Sequence, residues 1–203
     1  MKFIAFFGSI GVGKTTLGHQ IKSKFTNIDF IEEYLEENIY LKKFYNNMTE
    51  YAFRSTLEML LMMYKNYDKV DISKDITILD NGVEELICYN YFLLEKNILS
   101  LDEFKLYKQF YNLIIQSLPK IDYYIYLKCN LEEQLERIKK RNRLYEKNIN
   151  REFLIELNKH YDLYLKKIPK DKLWIVDTSS PFLIEDFLEN FNKKMIELNK
   201  EPD

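Results

Sequence analysis

Three observations on this chain predict an α/β fold, three layers deep, around a five-stranded parallel sheet. Short apolar runs alternate with longer helix-like stretches, the pattern that gives right-handed crossovers and a sheet covered on both faces. A glycine-rich loop, Gly8-Ser9-Ile10-Gly11-Val12-Gly13-Lys14-Thr15, follows the first run and opens a helix. Three later runs end in acidic residues, and ligands of such sheets gather at the carboxyl ends of the strands.

Lys2 to Phe7 reads as the first strand, with the helix beginning near Thr16. The loop between them fits G-x-x-x-x-G-K-[ST] in its required strand–turn–helix context. Glycines admit a phosphate close to the backbone, and the helix N-terminus turns free N–H groups toward the anion. Lys14 is placed to reach the outer phosphates of a nucleoside triphosphate such as ATP, and the Thr15 hydroxyl to hold Mg2+.

Ile28 to Ile31 is the second strand and ends at Glu32-Glu33. Alternation sends these acids to opposite faces, so only one reaches the site, and Glu33 is the candidate general base. This strand end is expected beside the phosphate loop. Met48 to Asp68 reads as one helix with an apolar stripe of Phe53, Leu57, Leu60, Leu61 and Tyr64.

Ile76 to Leu79 ends at Asp80, where a strand-end carboxylate would bind the metal, although Asp80-Asn81-Gly82 is also good turn chemistry. A helix follows from Val83 to Leu94. Ser100 and Glu103 form a capping box before a third long helix, Asp102 to Leu118. Tyr123 to Leu127 is the fourth strand. Beyond it, Arg137 and Arg141 share a helix face and Arg143 follows where the helix breaks. Arginines there suit a lid, at about 137–150, that closes on a transferring phosphoryl group. Leu173 to Val176 is the last strand, and the polar tail after Lys193 is expected to fray.

With 203 residues the chain has room for one domain with a lid. The formal charge of −2 argues against general affinity for nucleic acid or an acidic membrane. The two cysteines, Cys88 and Cys129, are too few for a metal site or disulfide framework and read as core thiols. No signal peptide or membrane span is evident, so a cytoplasmic location is expected.

The run Arg137-Ile138-Lys139-Lys140-Arg141-Asn142-Arg143-Leu144-Tyr145-Glu146-Lys147-Asn148-Ile149 resembles the lid motif R-I-x-x-R-G-R-x-x-E-x-x-I of the deoxynucleoside kinases, with Asn142 in place of glycine. Phe153 to Tyr161 resembles the family's Y-L-x-x-L-x-x-x-Y/H helix. Glu33-Tyr34-Leu35-Glu36-Glu37-Asn38-Ile39-Tyr40-Leu41 resembles its E-P-V-x-x-N-P-Y-L segment without the prolines. The resemblance implies a P-loop kinase-like fold and ATP-dependent phosphorylation of a deoxynucleoside 5′-hydroxyl, with Glu33 as base. Lys14, Arg137, Arg141 and Arg143 would act on phosphate. Tyr45 and Glu146 would bind the sugar, and Pro181 and Phe182 would pack on adenine. It also implies a homodimer through the helices 48–68 and 102–118.

Three departures bear on the substrate. Asn81 stands where the family has an arginine bracing the base and the reacting hydroxyl, a loss for Lys128 or an incoming arginine to offset. Thr56 stands where a glutamine reads the nucleobase. Met63 and Leu86 make that wall apolar, with room for the methyl group of thymine. Two alternatives stay open. A monophosphate kinase would need an arginine clamp, and outside the lid only Arg54 and Arg151 are available. A binding subunit that had lost the reaction would account for Asn81.

Overall fold

A computed structural model describes residues 1–33 and 35–198. The strands are β1 (Lys2–Phe7), β2 (Ile28–Ile31), β3 (Ile76–Leu79), β4 (Tyr123–Lys128) and β5 (Leu173–Asp177). They form one parallel sheet in the order β2-β3-β1-β4-β5. The helices are α1 (Lys14–Lys24), α2 (Leu41–Asn46), α3 (Met48–Asn66), α4 (Val83–Glu95), α5 (Leu101–Ser117), α6 (Leu131–Arg141), α7 (Arg151–Leu165) and α8 (Ile184–Leu198).

Strand alternation divides the core between the two faces of the sheet. Phe3, Ala5, Phe7, Tyr124 and Tyr126 pack with residues of α3, α4, α5 and α7. Ile4, Phe6, Ile78, Ile125 and Leu127 pack with residues of α1 and α8. Helices on both faces are why these strands read as unbroken apolar runs. Ser100 and Glu103 exchange both bonds of a capping box and start α5. Among the described residues, no helix is long and apolar enough to cross a membrane.

Several expectations are corrected. β3 lies between β2 and the phosphate-loop strand, so β2 does not pair with β1, although Glu33 beyond its end still lines the same cavity as the loop. α3 stops at Asn66 and tightens into a 3-10 turn, Tyr67–Lys69. Its buried face is Ala52, Ser55, Thr56, Leu60 and Met63, while Leu61 and Tyr64 are exposed. The apolar letters on α3 outnumber its inward positions, and packing against α4 and α5 sets the rotation. The tail does not fray after Lys193: α8 runs to Leu198 with Met195 buried. The last five residues lie outside the described residues. Cys88 is buried, whereas Cys129 is half-buried at the end of β4.

Gly18 sets the distance between α1 and the sheet, since a Cβ there would stand 2.2 Å from the Phe30 ring. That ring is held by Phe6 and His19. Gly18→Ala is expected to destabilise the protein by about 1–3 kcal/mol through overpacking, measurable as a lower denaturation midpoint, although alanine is the better helix former.

Candidate active site

The phosphate loop is drawn tightly around the end of β1. Gly8, Gly11 and Gly13 adopt φ of 150°, 81° and 97°, which side chains rarely allow. A Cβ on Gly8 would come within 2.3 Å of the Leu127 carbonyl oxygen, so only glycine lets the loop lie against β4. α1 then starts from Gly13 without a side-chain cap, leaving its first N–H groups for an anion. Two tethers hold the loop from outside. Gln134 Nε2 donates to the Ile10 carbonyl at 2.9 Å, itself steadied by Asn158. The Thr178 hydroxyl donates to the Val12 carbonyl at 2.8 Å.

Lys14 points back beneath the loop. Its ammonium donates to the Gly8 carbonyl and meets Glu85 Oε1 at 3.1 Å. Glu85, buried at the start of α4, also accepts from the Gly8 N–H at 3.3 Å and from the Tyr161 hydroxyl at 2.9 Å. Sequence reasoning missed this residue. Its only signal was a pair of acids in the first turn of α4, a pattern usually assigned to the helix dipole.

Asp80 ends β3, and its Oδ2 accepts from the Thr15 hydroxyl at 2.8 Å. Its Oδ1 is buried and has no partner among the described residues. Glu33 lines the same end of the cavity and accepts from the Asn81 amide. Glu32 instead meets His19 at 2.9 Å, so the two acids do part as alternation predicts. Burial, with the charges of Asp80 and Glu85 next, pushes the Glu33 carboxyl up to about 8. Burial likewise takes Glu85 to about 7 against the pull of Lys14, and it raises Asp80.

These groups open into a cavity of about 550 Å³. Of the sequence-predicted residues, Ser9, Ile10, Gly11, Val12, Gly13, Lys14, Thr15 and Thr16 line it at the phosphate end. Glu33, Tyr45, Thr56, Asp80, Asn81, Leu86, Arg137, Arg141, Arg143 and Glu146 line the rest. Tyr45 is buried with its ring 5.6 Å from that of Tyr145. Burial, then neighbouring Tyr89 and Glu146, holds its phenol protonated far above the usual range.

The arginines divide their contacts. Arg137 bridges the Thr178 carbonyl at 2.6 Å and Glu133 at 3.1 Å, joining α6 to the end of β5. Arg141 grips Glu146 with contacts of 2.6, 2.7 and 3.1 Å. Arg143 stands 3.7 Å from the same carboxylate. Asn142 ends α6 in the left-handed conformation at φ 54°, which explains its replacement of the family's glycine.

Three expected contacts are absent. Met63 lies behind the cavity beside Met62 and Tyr67, and Met59, one turn earlier on α3, takes the cavity position. Pro181 and Phe182 do not line the cavity; Phe182 packs on Phe187 of α8. Lys128 is exposed and meets Asp177 at 3.4 Å, outside the cavity, so it does not replace the missing arginine.

Comparison with known proteins agrees with this geometry. A family model described as deoxynucleoside kinase matches residues 4–200. A deoxyguanosine kinase of Bacillus subtilis (strain 168) is 35% identical over 169 residues, covering 82% of this chain and 79% of that protein. A deoxyadenosine kinase of Dictyostelium discoideum is 28% identical over 82% of this chain and 68% of that protein. A deoxyadenosine kinase structure from M. mycoides with bound dCTP superposes with a TM-score of 0.84 at 26% identity, covering 96% of this chain and 99% of that one. The cavity and these likenesses lead to one conclusion: the chain belongs to the deoxynucleoside kinase family.

Proposed function

We propose that the chain transfers the γ-phosphoryl group of ATP to the 5′-hydroxyl of a deoxynucleoside. The observation that carries this reading is a single cavity that opposes Lys14 and the phosphate loop to Glu33, with Tyr45 and Glu146 farther along its wall. The loop and α1 hold the triphosphate, and Lys14 leaves Glu85 for its outer oxygens. Glu33, accepting from Asn81, takes the 5′-hydroxyl proton as that oxygen forms its bond to the γ-phosphorus. The bond to the bridging oxygen breaks and ADP departs with the electron pair.

Asp80 and Thr15 fit a magnesium ion. An all-oxygen pair with one buried, unpartnered carboxylate oxygen is a suitable donor set for a hard cation. Bound there, the ion would neutralise phosphate charge. The segment 137–150 acts as the lid, with Glu146 holding Arg141 and Arg143 over the cavity. Tyr45 and Glu146 take the sugar. Arg54 is exposed and Arg151 pairs with Glu132, so neither offers a clamp for an acceptor phosphate. That favours a nucleoside over a monophosphate.

Lys14→Ala is expected to lower kcat by about 10²–10³-fold, as loss of one electrostatic group does elsewhere, in a labelled-ATP assay over deoxynucleosides and their monophosphates. Product from monophosphates only, or from neither class, would overturn the reading.

Glu33→Gln is expected to lower kcat by about 10²–10⁴-fold and to alter stability with pH. The folded protein holds a proton on Glu33 up to about pH 8, whereas the unfolded chain releases it near 4.5. Stability from this group is therefore full below 4.5 and lost as pH rises through about 8. Melting of the nucleotide-free proteins should show Glu33→Gln gaining on wild type across that window. Equal turnover would reject Glu33 as the base.

The homodimer reading rests on an exposed apolar strip: Leu61 and Tyr64 on α3 with Leu106, Phe110 and Leu113 on α5, the last 66% exposed. α3 and α5 pack against one another, which suits one continuous apolar face. Leu113→Glu is expected to shift the protein from dimer to monomer in sedimentation equilibrium, and an unchanged mass would reject this face.

A further inference from the structure

The cavity wall contains a polar residue that neither the phosphate chemistry nor the sugar contacts use. Asn90 lies on α4, one turn beyond Leu86, and lines the cavity although it is 0% exposed. Its Nδ2 donates to the Leu86 carbonyl at 2.9 Å. That bond identifies the nitrogen, because a carbonyl can only accept. The other end of the amide, Oδ1, is buried and accepts from no group among the described residues.

A buried acceptor without a partner is destabilising, and an apolar residue of the same shape would avoid that cost. Asparagine is also a poor residue for a helix interior. An asparagine kept here at such cost is explained by a partner that arrives from the cavity. Leu86, Met59 and Phe44 are apolar residues of the same cavity lining. Thr56, also in the cavity lining, donates its hydroxyl proton to the Phe53 carbonyl at 3.3 Å, which leaves its oxygen as an acceptor. Asn90 and Thr56 thus each offer an acceptor to a donor.

We propose that Asn90 Oδ1 accepts a hydrogen bond from an exocyclic amine of the nucleobase. This selects adenine, guanine or cytosine deoxynucleosides against thymidine. The oxygen is recessed, so a group projecting beyond the ring reaches it. Thymine carries no amine, and its ring N–H lies between two carbonyl oxygens that would face the same lone pairs. The inference rests on the deoxynucleoside kinase reading of the cavity.

The test compares each amino nucleoside with its partner lacking the amine: deoxyadenosine with 2′-deoxynebularine, deoxyguanosine with deoxyinosine, and deoxycytidine with the 2-pyrimidinone deoxyriboside. Labelled ATP is the donor, and the enzyme is wild type or Asn90→Leu. For the best-used pair, wild type should lose about 10–100-fold in kcat/KM when the amine is removed, mostly through KM. Thymidine should be at least as poor. Asn90→Leu should bring the parent-to-analogue ratio toward one, with a melting temperature no lower than wild type. Deoxynucleoside phosphorylation with no amine effect, with thymidine preferred, or with Asn90→Leu lowering both members of the pair equally would overturn this inference alone. Phosphorylation of no deoxynucleoside would overturn the kinase reading and this inference with it.

Discussion

Lys14 is the charge around which one end of the cavity is organised. Glu33, Asp80 and Glu85 are each pushed toward the neutral form by burial and each pulled back by the Lys14 ammonium. Two buried carboxylates, Asp80 and Glu85, and a partly buried third, Glu33, near one cation form an unbalanced set, since each ion removed from water costs several kcal/mol unless it is paired. The Lys14–Glu85 contact at 3.1 Å, reinforced from Gly8 and Tyr161, is where the balance is struck without nucleotide. The sheet order makes this possible by bringing the ends of β1 and β3 together under the start of α4.

The same logic runs through the arginine segment, with the signs reversed. Glu146 is 4% exposed and faces both Arg141 and Arg143, so a buried carboxylate fixes two guanidinium groups at the cavity wall. Arg137 has another task. Its bonds to Thr178 and Glu133 tie α6 to the end of β5, and Thr178 in turn holds the Val12 carbonyl of the phosphate loop. Three arginines in one short run therefore do unequal work. Two belong to the mouth of the cavity, and one braces the loop from behind.

Substitution at Asn81 has a local consequence that the rest of the site absorbs. An arginine there would add a fixed positive fork beside Glu33. The amide instead gives Glu33 one donor and leaves its own oxygen buried without a partner. That one donor only partly offsets the burial and the charges of Asp80 and Glu85, which push the Glu33 carboxyl up to about 8.

Some of this was legible in the residues alone, because it depends on local periods and on backbone chemistry. The strands were readable because both sheet faces are covered, which makes every position apolar. The phosphate loop was readable because its glycines and Lys14 answer to anion geometry rather than to neighbours. Parting of Glu32 from Glu33 followed from the pleat, whose period is two. What needed the tertiary structure was rotation about helix axes and the lateral order of strands. Met59 rather than Met63 reaches the cavity because α3 turns to suit α4 and α5. Glu85 became a partner of Lys14, and Asn90 a wall residue with an idle oxygen, only when α4 was laid across the end of β1. Sequence by itself determined which groups stand at the strand ends. Packing alone decided which of them face one another, since each residue along a helix turns the side chain by about 100° and only long-range contacts set that angle.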